Sequence, residues 1–426
     1  MTARPSESAP PLLELRPARH PEIVVGPGLA RGPRVLHLIK DRRVNRSYEV
    51  GAKEHFVISR LDGETTLAEI GAQYAGRFGR RLGEPGWRQL LGLLSARRLL
   101  VGNPPPEPAP EPEPEAKPAG PKRRRGYRPM GTDLVFGDPS ALLGRMYRRL
   151  RYLYAPYVLI PLLAVVIAME AVLAARVPEL LHQAHTLWRH PDLAMIVVGL
   201  LWLSSGLHEL AHGLTSYHFG GGASEVGLRW RPPMAYLYCK TEDTMLFGPR
   251  RHRIATAAAG VVANLVFLLP FFPLWMWFPP DDVTRDSLAA LLLFGSLRGL
   301  VNYLPVPNLD GYVMLSHALN VTDLSTESYR YARLLGRRLL GRGDETGPYP
   351  RRMRIIHVCY AVGSVLLAAA LTAGVLWLIV LWTPEPYGRY IAGGLLALVL
   401  VGALGRAVGA RVLAGRARRA AQASAG

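Results

Sequence analysis

The residues whose types and spacing suit chemistry are His208, Glu209 and His212, which read His-Glu-Leu-Ala-His. On a helix, positions i and i+4 share a face, so the two imidazoles can grip one metal ion. Glu209 lies beside them, placed to take a proton from a water activated there. The surrounding segment, LAMIVVGLLWLSSGLHELAHGLTSYHF at 193–219, is apolar. Ionisable groups are costly in hydrocarbon, so their presence in such a segment marks a functional site. The combination points to a zinc peptidase whose site lies within a bilayer.

The elements that must position this motif follow from the rest of the chain. Six apolar spans are expected near 154–175, 193–217, 254–278, 287–305, 355–382 and 390–406. The loops at 218–253 and 306–354 carry fourteen lysines and arginines, against four on the opposite side. The excess sets direction and predicts that both termini are cytoplasmic. The second span therefore brings His208 and His212 towards its cytoplasmic end. The fourth also runs inwards and ends in NYLPVPNLDGY at 302–312. It delivers Asp310 to the same side, where it is the natural third ligand for one Zn2+. Pro305, Pro307 and Gly311 break the helix, as irregular backbone lining a wet cavity does.

Charge and cysteine content narrow the classes. The net charge is +19, but the arginines mostly flank apolar spans, so no nucleic acid is expected as partner. Two cysteines, Cys239 and Cys359, make neither a disulfide framework nor a zinc knuckle. Cys239 is expected in a loop. The first 30 residues hold no apolar core segment, so no cleavable signal peptide is expected.

Ahead of the spans, residues 22–101 read as a small α+β domain of winged-helix type, after a disordered stretch at 1–21. EIVV, RVLHLI and RSYEV suit strands, and KEHFVISRL suits a helix. Thr66 and Glu69 form a capping box that opens a second helix, and Trp87, Leu90, Leu91 and Leu94 recur at helical period in a third. Residues 102–121 alternate proline with glutamate and favour polyproline II, reaching roughly 55–60 Å if straight at ~3.1 Å per residue. The basic run KRRRGYR follows at 122–128 and can touch anionic lipid. The expected fold is thus a polytopic α-helical membrane protein with a small N-terminal domain, a linker over 102–131, a membrane-embedded domain over 132–410 and a basic tail over 411–426.

HELAHGLTSYHFGG at 208–221 and NYLPVPNLDGY at 302–312 resemble the two motifs of the site-2-protease family of intramembrane zinc metallopeptidases. DGYVMLSHALNVTDL further resembles a bacterial peptide zinc metalloprotease branch linked to peptide natural products. The resemblance covers about residues 150–405 and implies zinc on His208, His212 and Asp310, with Glu209 as general base and acid. It implies that Asn302 positions substrate or the developing oxyanion. Asn264, in RRHRIATAAAGVVAN at 250–264, matches an asparagine of a third motif, although Val261 stands where proline is usual. Helix-to-helix hydrogen bonding is the other reading of both asparagines. Glu170, in the first span, could line the cavity or snorkel outwards.

RSYEVGAKEHFVISRLDGETTLAEIGAQY and WRQLLGLLSARRLL resemble PqqD-like peptide-recognition domains, which implies capture of a precursor's leader peptide as an added strand. A structural or dimerising role, or DNA binding, is the alternative for that domain. The whole reads as an endopeptidase maturing a small ribosomally made precursor. The alternatives are proteolysis of a membrane-tethered regulator and a non-catalytic scaffold or immunity protein that keeps a zinc site.

Overall fold

The computed structural model describes residues 11–102 and 132–405, apart from 232–233, 281, 342, 344, 384–386, 399 and 403–404. The proline-glutamate stretch, the basic run at 122–128 and the C-terminal tail lie outside the described residues. The chain divides into two compact units at Glu327/Ser328.

After a 3-10 turn at Leu12–Glu14, the first unit has three antiparallel strands, β1 (Ile23–Arg31), β2 (Arg34–Asp41) and β3 (Arg46–Gly51), in that spatial order. Arg31 pairs with Arg34, leaving a two-residue turn in which Gly32 takes a φ of 55°. Three helices follow: α1 (Ala52–Ile58), α2 (Leu67–Phe78) and α3 (Glu84–Ala96). The capping box forms as expected. Glu69 N–H donates to Thr66 Oγ1 and Thr66 N–H donates to Glu69 Oε2. Its replacement by Ala would cost about 1 kcal/mol. Ile39, Leu67, Ile70, Tyr74, Trp87 and Leu94 close one core between sheet and helices.

A second three-stranded sheet, not expected from the sequence, joins β4 (Asp133–Gly137), β5 (Glu225–Arg231) and β6 (Met234–Lys240), with β5 central. Between β4 and β5 run α4 (Ser140–Leu150), α5 (Pro156–Ala175), α6 (Val177–Thr186) and α7 (Pro191–His218). After β6 come α8 (Arg250–Leu268), α9 (Phe271–Trp277), α10 (Val283–Val301), α11 (Asp310–Leu319), α12 (Leu324–Leu339) and α13 (Arg351–Trp382).

Four helical stretches are long and apolar enough to cross a membrane: Pro156–Ala175, Pro191–His218, Arg250–Trp277 and Arg351–Val380. Helix also occupies the other two expected spans, as α10 and as a shorter apolar helix over Tyr387–Gly402. The expected third span is not one smooth helix. It is interrupted at Leu269–Pro270, where proline has no N–H to continue the ladder.

Met169, Leu173, Leu180, Val197, Leu268, Trp275, Leu291 and Leu292 form the core among α5 to α10. Buried Trp275 donates to Gln183 Oε1 at 2.9 Å, so its one polar atom is satisfied. Glu170 accepts from Ser296 Oγ at 2.9 Å and so ties α5 to α10.

The N-terminal sheet is anchored to the same unit. Ala30 N–H donates to the Asn320 carbonyl at 2.8 Å, and Thr322 N–H donates to the Ala30 carbonyl at 2.9 Å. Lys40 and Asp243, both shielded from water, form an ion pair. In the second unit, His357 Nδ1 lies 2.9 Å from Ser328 Oγ, and its ring packs with Tyr331 and Tyr349.

Candidate metal centre

The first two ligands come from α7 and are one turn apart, as the spacing required. His208 and His212 turn their Nε2 atoms together, 3.2 Å apart. The third comes from the first residue of α11. Asp310 Oδ2 is 3.1 Å from His208 Nε2, and Asp310 Oδ1 is 3.4 Å from His212 Nε2. These residues form a group that could hold a metal ion. A tetrahedral ion with bonds of ~2.0–2.1 Å places its ligand atoms about 3.3 Å apart. The two imidazole nitrogens stand near that separation, and one carboxylate oxygen of Asp310 lies close to each of them. Asp310 Oδ2 is also buried and forms no well-aligned hydrogen bond, with the His208 ring nitrogen as its near neighbour. Two imidazoles and a carboxylate suit zinc among common divalent ions.

One face of α8 holds the histidines. Thr256, Gly260 and Asn264 are spaced by four and meet α7 on successive turns. The Thr256 carbonyl lies 2.7 Å from His212 Nδ1, which must therefore carry the proton and leave Nε2 free for a metal. The Asn264 side chain lies 3.0 Å from His208 Nδ1 and also accepts from Ser204 Oγ at 3.0 Å. A metal on His208 Nε2 puts the ring proton on Nδ1, so the Asn264 amide would then present its oxygen to the ring. Asn264 thus bonds helix to helix and orients a ligand as well.

Gly260 was not singled out from the sequence. A Cβ there would lie 2.5 Å from His212 Nε2 and 2.6 Å from His208 Cε1, so only glycine lets the two rings sit against α8. Its signal was available, because it falls four residues before Asn264. Gly311 has a similar duty beside Asp310. A Cβ there would lie 2.0 Å from the Tyr303 carbonyl oxygen, and the Gly311 N–H donates to the Asn302 carbonyl at 2.7 Å. That bond folds the Asn302–Asp310 loop back on itself. Asn302 therefore contributes its backbone carbonyl to the loop that carries Asp310.

Glu209 lies on the same turn, within electrostatic reach of His208, His212 and Asp310, and one of its oxygens also meets β6. The Cys239 N–H donates to Glu209 Oε2 at 3.2 Å. Gly206 and Gly213 let β6 approach α7, since a Cβ at either would meet Leu237 or the Cys239 sulfur at 2.7–3.0 Å. Cys239 thus lies in a strand and not in the expected loop. Burial, then the neighbouring Glu209, push its thiol up to about 12, which makes it a poor nucleophile.

Arg298 was also missed. It projects from α10 and donates to the Leu201 carbonyl and to Ser205 Oγ, each at 2.6 Å. Leu201, Ser205 and Glu209 follow one another at four-residue steps, so the guanidinium is held one turn from the glutamate. An arginine within an apolar helix was the signal that could have found it. His218, at the end of α7, contacts Tyr147 and Tyr154.

No family model matches the chain, and no curated protein and no solved structure matches it either. The functional reading therefore stands on the convergence of these side chains.

Proposed function

We propose that the chain is a membrane-embedded zinc metalloendopeptidase. The observation that carries this reading is the meeting of His208, His212 and Asp310 in one group that could hold a metal ion, with Glu209 on the same helical turn as the histidines. A scaffold that merely kept a metal would have no use for that acid.

When bound, the ion supplies Lewis acidity for a scissile carbonyl and lowers the pKa of water to about 7. Glu209 takes the proton of the attacking water and passes it to the leaving amine. The Cys239 N–H fixes the glutamate's second oxygen, leaving the first for the proton. Arg298 adds a positive charge one turn away and steadies α7 against α10. β6 is the outer strand, at the edge of its sheet, and its Cys239 N–H sets it beside the acid. An extended substrate segment can pair along that edge, which exposes a peptide carbonyl that a helix would hide. Asn302, at the mouth of the loop, is assigned to substrate positioning by resemblance.

We take α10 and Tyr387–Gly402 as further spans, giving six, with both termini cytoplasmic. The N-terminal sheet and its three helices are assigned as a winged-helix-like recognition domain for a precursor's leader peptide. The reaction is then removal of that leader from a small ribosomally made peptide. The test is mass spectrometry of a neighbouring candidate precursor incubated with wild-type and Glu209→Gln protein. Cleavage by the wild type alone is expected. Cleavage by Glu209→Gln at the wild-type rate would overturn the mechanism.

A further inference from the structure

The helix ahead of the first candidate span presents two opposed faces. Leu143, Tyr147 and Leu150 lie along one side of α4, at steps of four and three. Leu143 is fully buried, and its methyl carbons lie 3.2–3.3 Å from where a Gly213 Cβ would stand. Tyr147 meets His218 Nδ1 at 2.9 Å. This side is spent on α7. Arg145, Arg148 and Arg149 fall on the opposite side, all exposed.

Those three arginines have no acidic partner among the described residues. Arg145 Nε donates only to the Ala141 carbonyl of its own helix, at 3.3 Å. With Leu142 and Met146 they line an open groove of about 390 Å³. The position of the groove adds a second observation. Leu134, Val135 and Phe136 of β4 are each more than half exposed, just before α4. The apolar helix α5 begins at Pro156, just after it. In the chain, a cationic groove without acidic partners among the described residues is thus flanked by two exposed apolar segments. That arrangement fits a bilayer surface, where guanidinium forks bind phosphate and apolar side chains meet acyl chains.

We infer that the α4 groove is a binding site for an anionic phospholipid. Arg145, Arg148 and Arg149 hold the phosphate, and Leu142 and Met146 line the start of the acyl chains. Each arginine near an anionic surface strengthens binding roughly five-fold, so three together give on the order of a hundred-fold preference over neutral lipid. Because α4 packs on α7 at the residue after His212, an occupied groove also braces the helix that carries the candidate metal ligands.

The test uses the full-length protein in vesicles of phosphatidylcholine with and without phosphatidylglycerol, read by native mass spectrometry of retained lipid. Wild-type protein should retain phosphatidylglycerol selectively. The Arg145→Gln/Arg148→Gln/Arg149→Gln variant should lose that selectivity, on the order of a hundred-fold, with circular dichroism unchanged because all three side chains face outwards. Equal retention by the variant would overturn the site. Displacement of the lipid by inorganic phosphate at comparable concentration would show that the groove takes a soluble anion, and the lipid assignment would fall. Neither readout depends on peptidase activity.

Discussion

The two sheets of this protein are built on opposite terms. The first, β1 to β3, is made of consecutive strands and closes its core with its own helices, Trp87 being 1% exposed. The second pairs Asp133 with Arg229 across a long stretch of chain, and its β4 leaves Leu134, Val135 and Phe136 exposed. The first is stabilised from within. The second takes its place from α7, through Gly206 and Gly213, and gives back a main-chain N–H to Glu209. The first core is centred on its own helices and meets the rest of the unit through a few bonds at its rim, such as Ala30 with Asn320 and Thr322, whereas Gly260 in the helix pair behind the second leaves no room for an added Cβ.

The largest effects should separate the two regions. Trp87→Ala removes the centre of the first core and should cost about 3–5 kcal/mol there. Thermal unfolding should show that domain melting early while the bound metal of the purified protein stays unchanged. Loss of metal in this variant would break the comparison. Next, Gly260→Ala drives a Cβ into both imidazoles and should cost about 1–3 kcal/mol. It should also strip the metal, as measured by elemental analysis. Its control is Gly92→Ala on α3, where a Cβ meets nothing within 4 Å. That change should be neutral or stabilise by about 0.5–1 kcal/mol.

A smaller effect is expected from Asn264→Ala, which leaves the ligands in place but frees His208 Nδ1. Metal affinity should fall by roughly 10–100-fold in a competition titration. The smallest concerns pH. His55 stacks on His37 with ring centroids 3.5 Å apart. Burial first, then the charges of His37, Arg60 and Arg19, hold its pKa down to about 4, against 6.5 unperturbed. The unfolded chain therefore binds more protons between those values. The N-terminal domain should lose stability as pH falls from 6.5 towards 4, and His55→Gln should flatten that loss in acid-melting curves.

What was legible in the sequence follows the same division. Strands β1 to β3, the Thr66–Glu69 cap and the Trp87 helix are local patterns, and each formed where its period placed it. His208 and His212 were legible because a four-residue step puts them on one helix face, and Asp310 because the charge bias of the loops brings its span to the same side. The β4–β5 pairing was not, because register between distant segments depends on what lies between them. Gly260 and Arg298 were overlooked for a related reason, since their roles exist only across a helix–helix contact. The break at Leu269–Pro270 had a plain signal in Pro270, and the expected third span passed over it.

The central claim is that His208, His212 and Asp310 hold one zinc ion beside Glu209. The most direct measurement is the metal content of the purified full-length protein and of Asp310→Ala, by inductively coupled plasma mass spectrometry. One zinc per wild-type chain and a clear loss in Asp310→Ala are expected, with helical content unchanged by circular dichroism. Wild-type protein that takes up no zinc under saturating conditions, or an Asp310→Ala variant that binds it as tightly, would contradict the central claim.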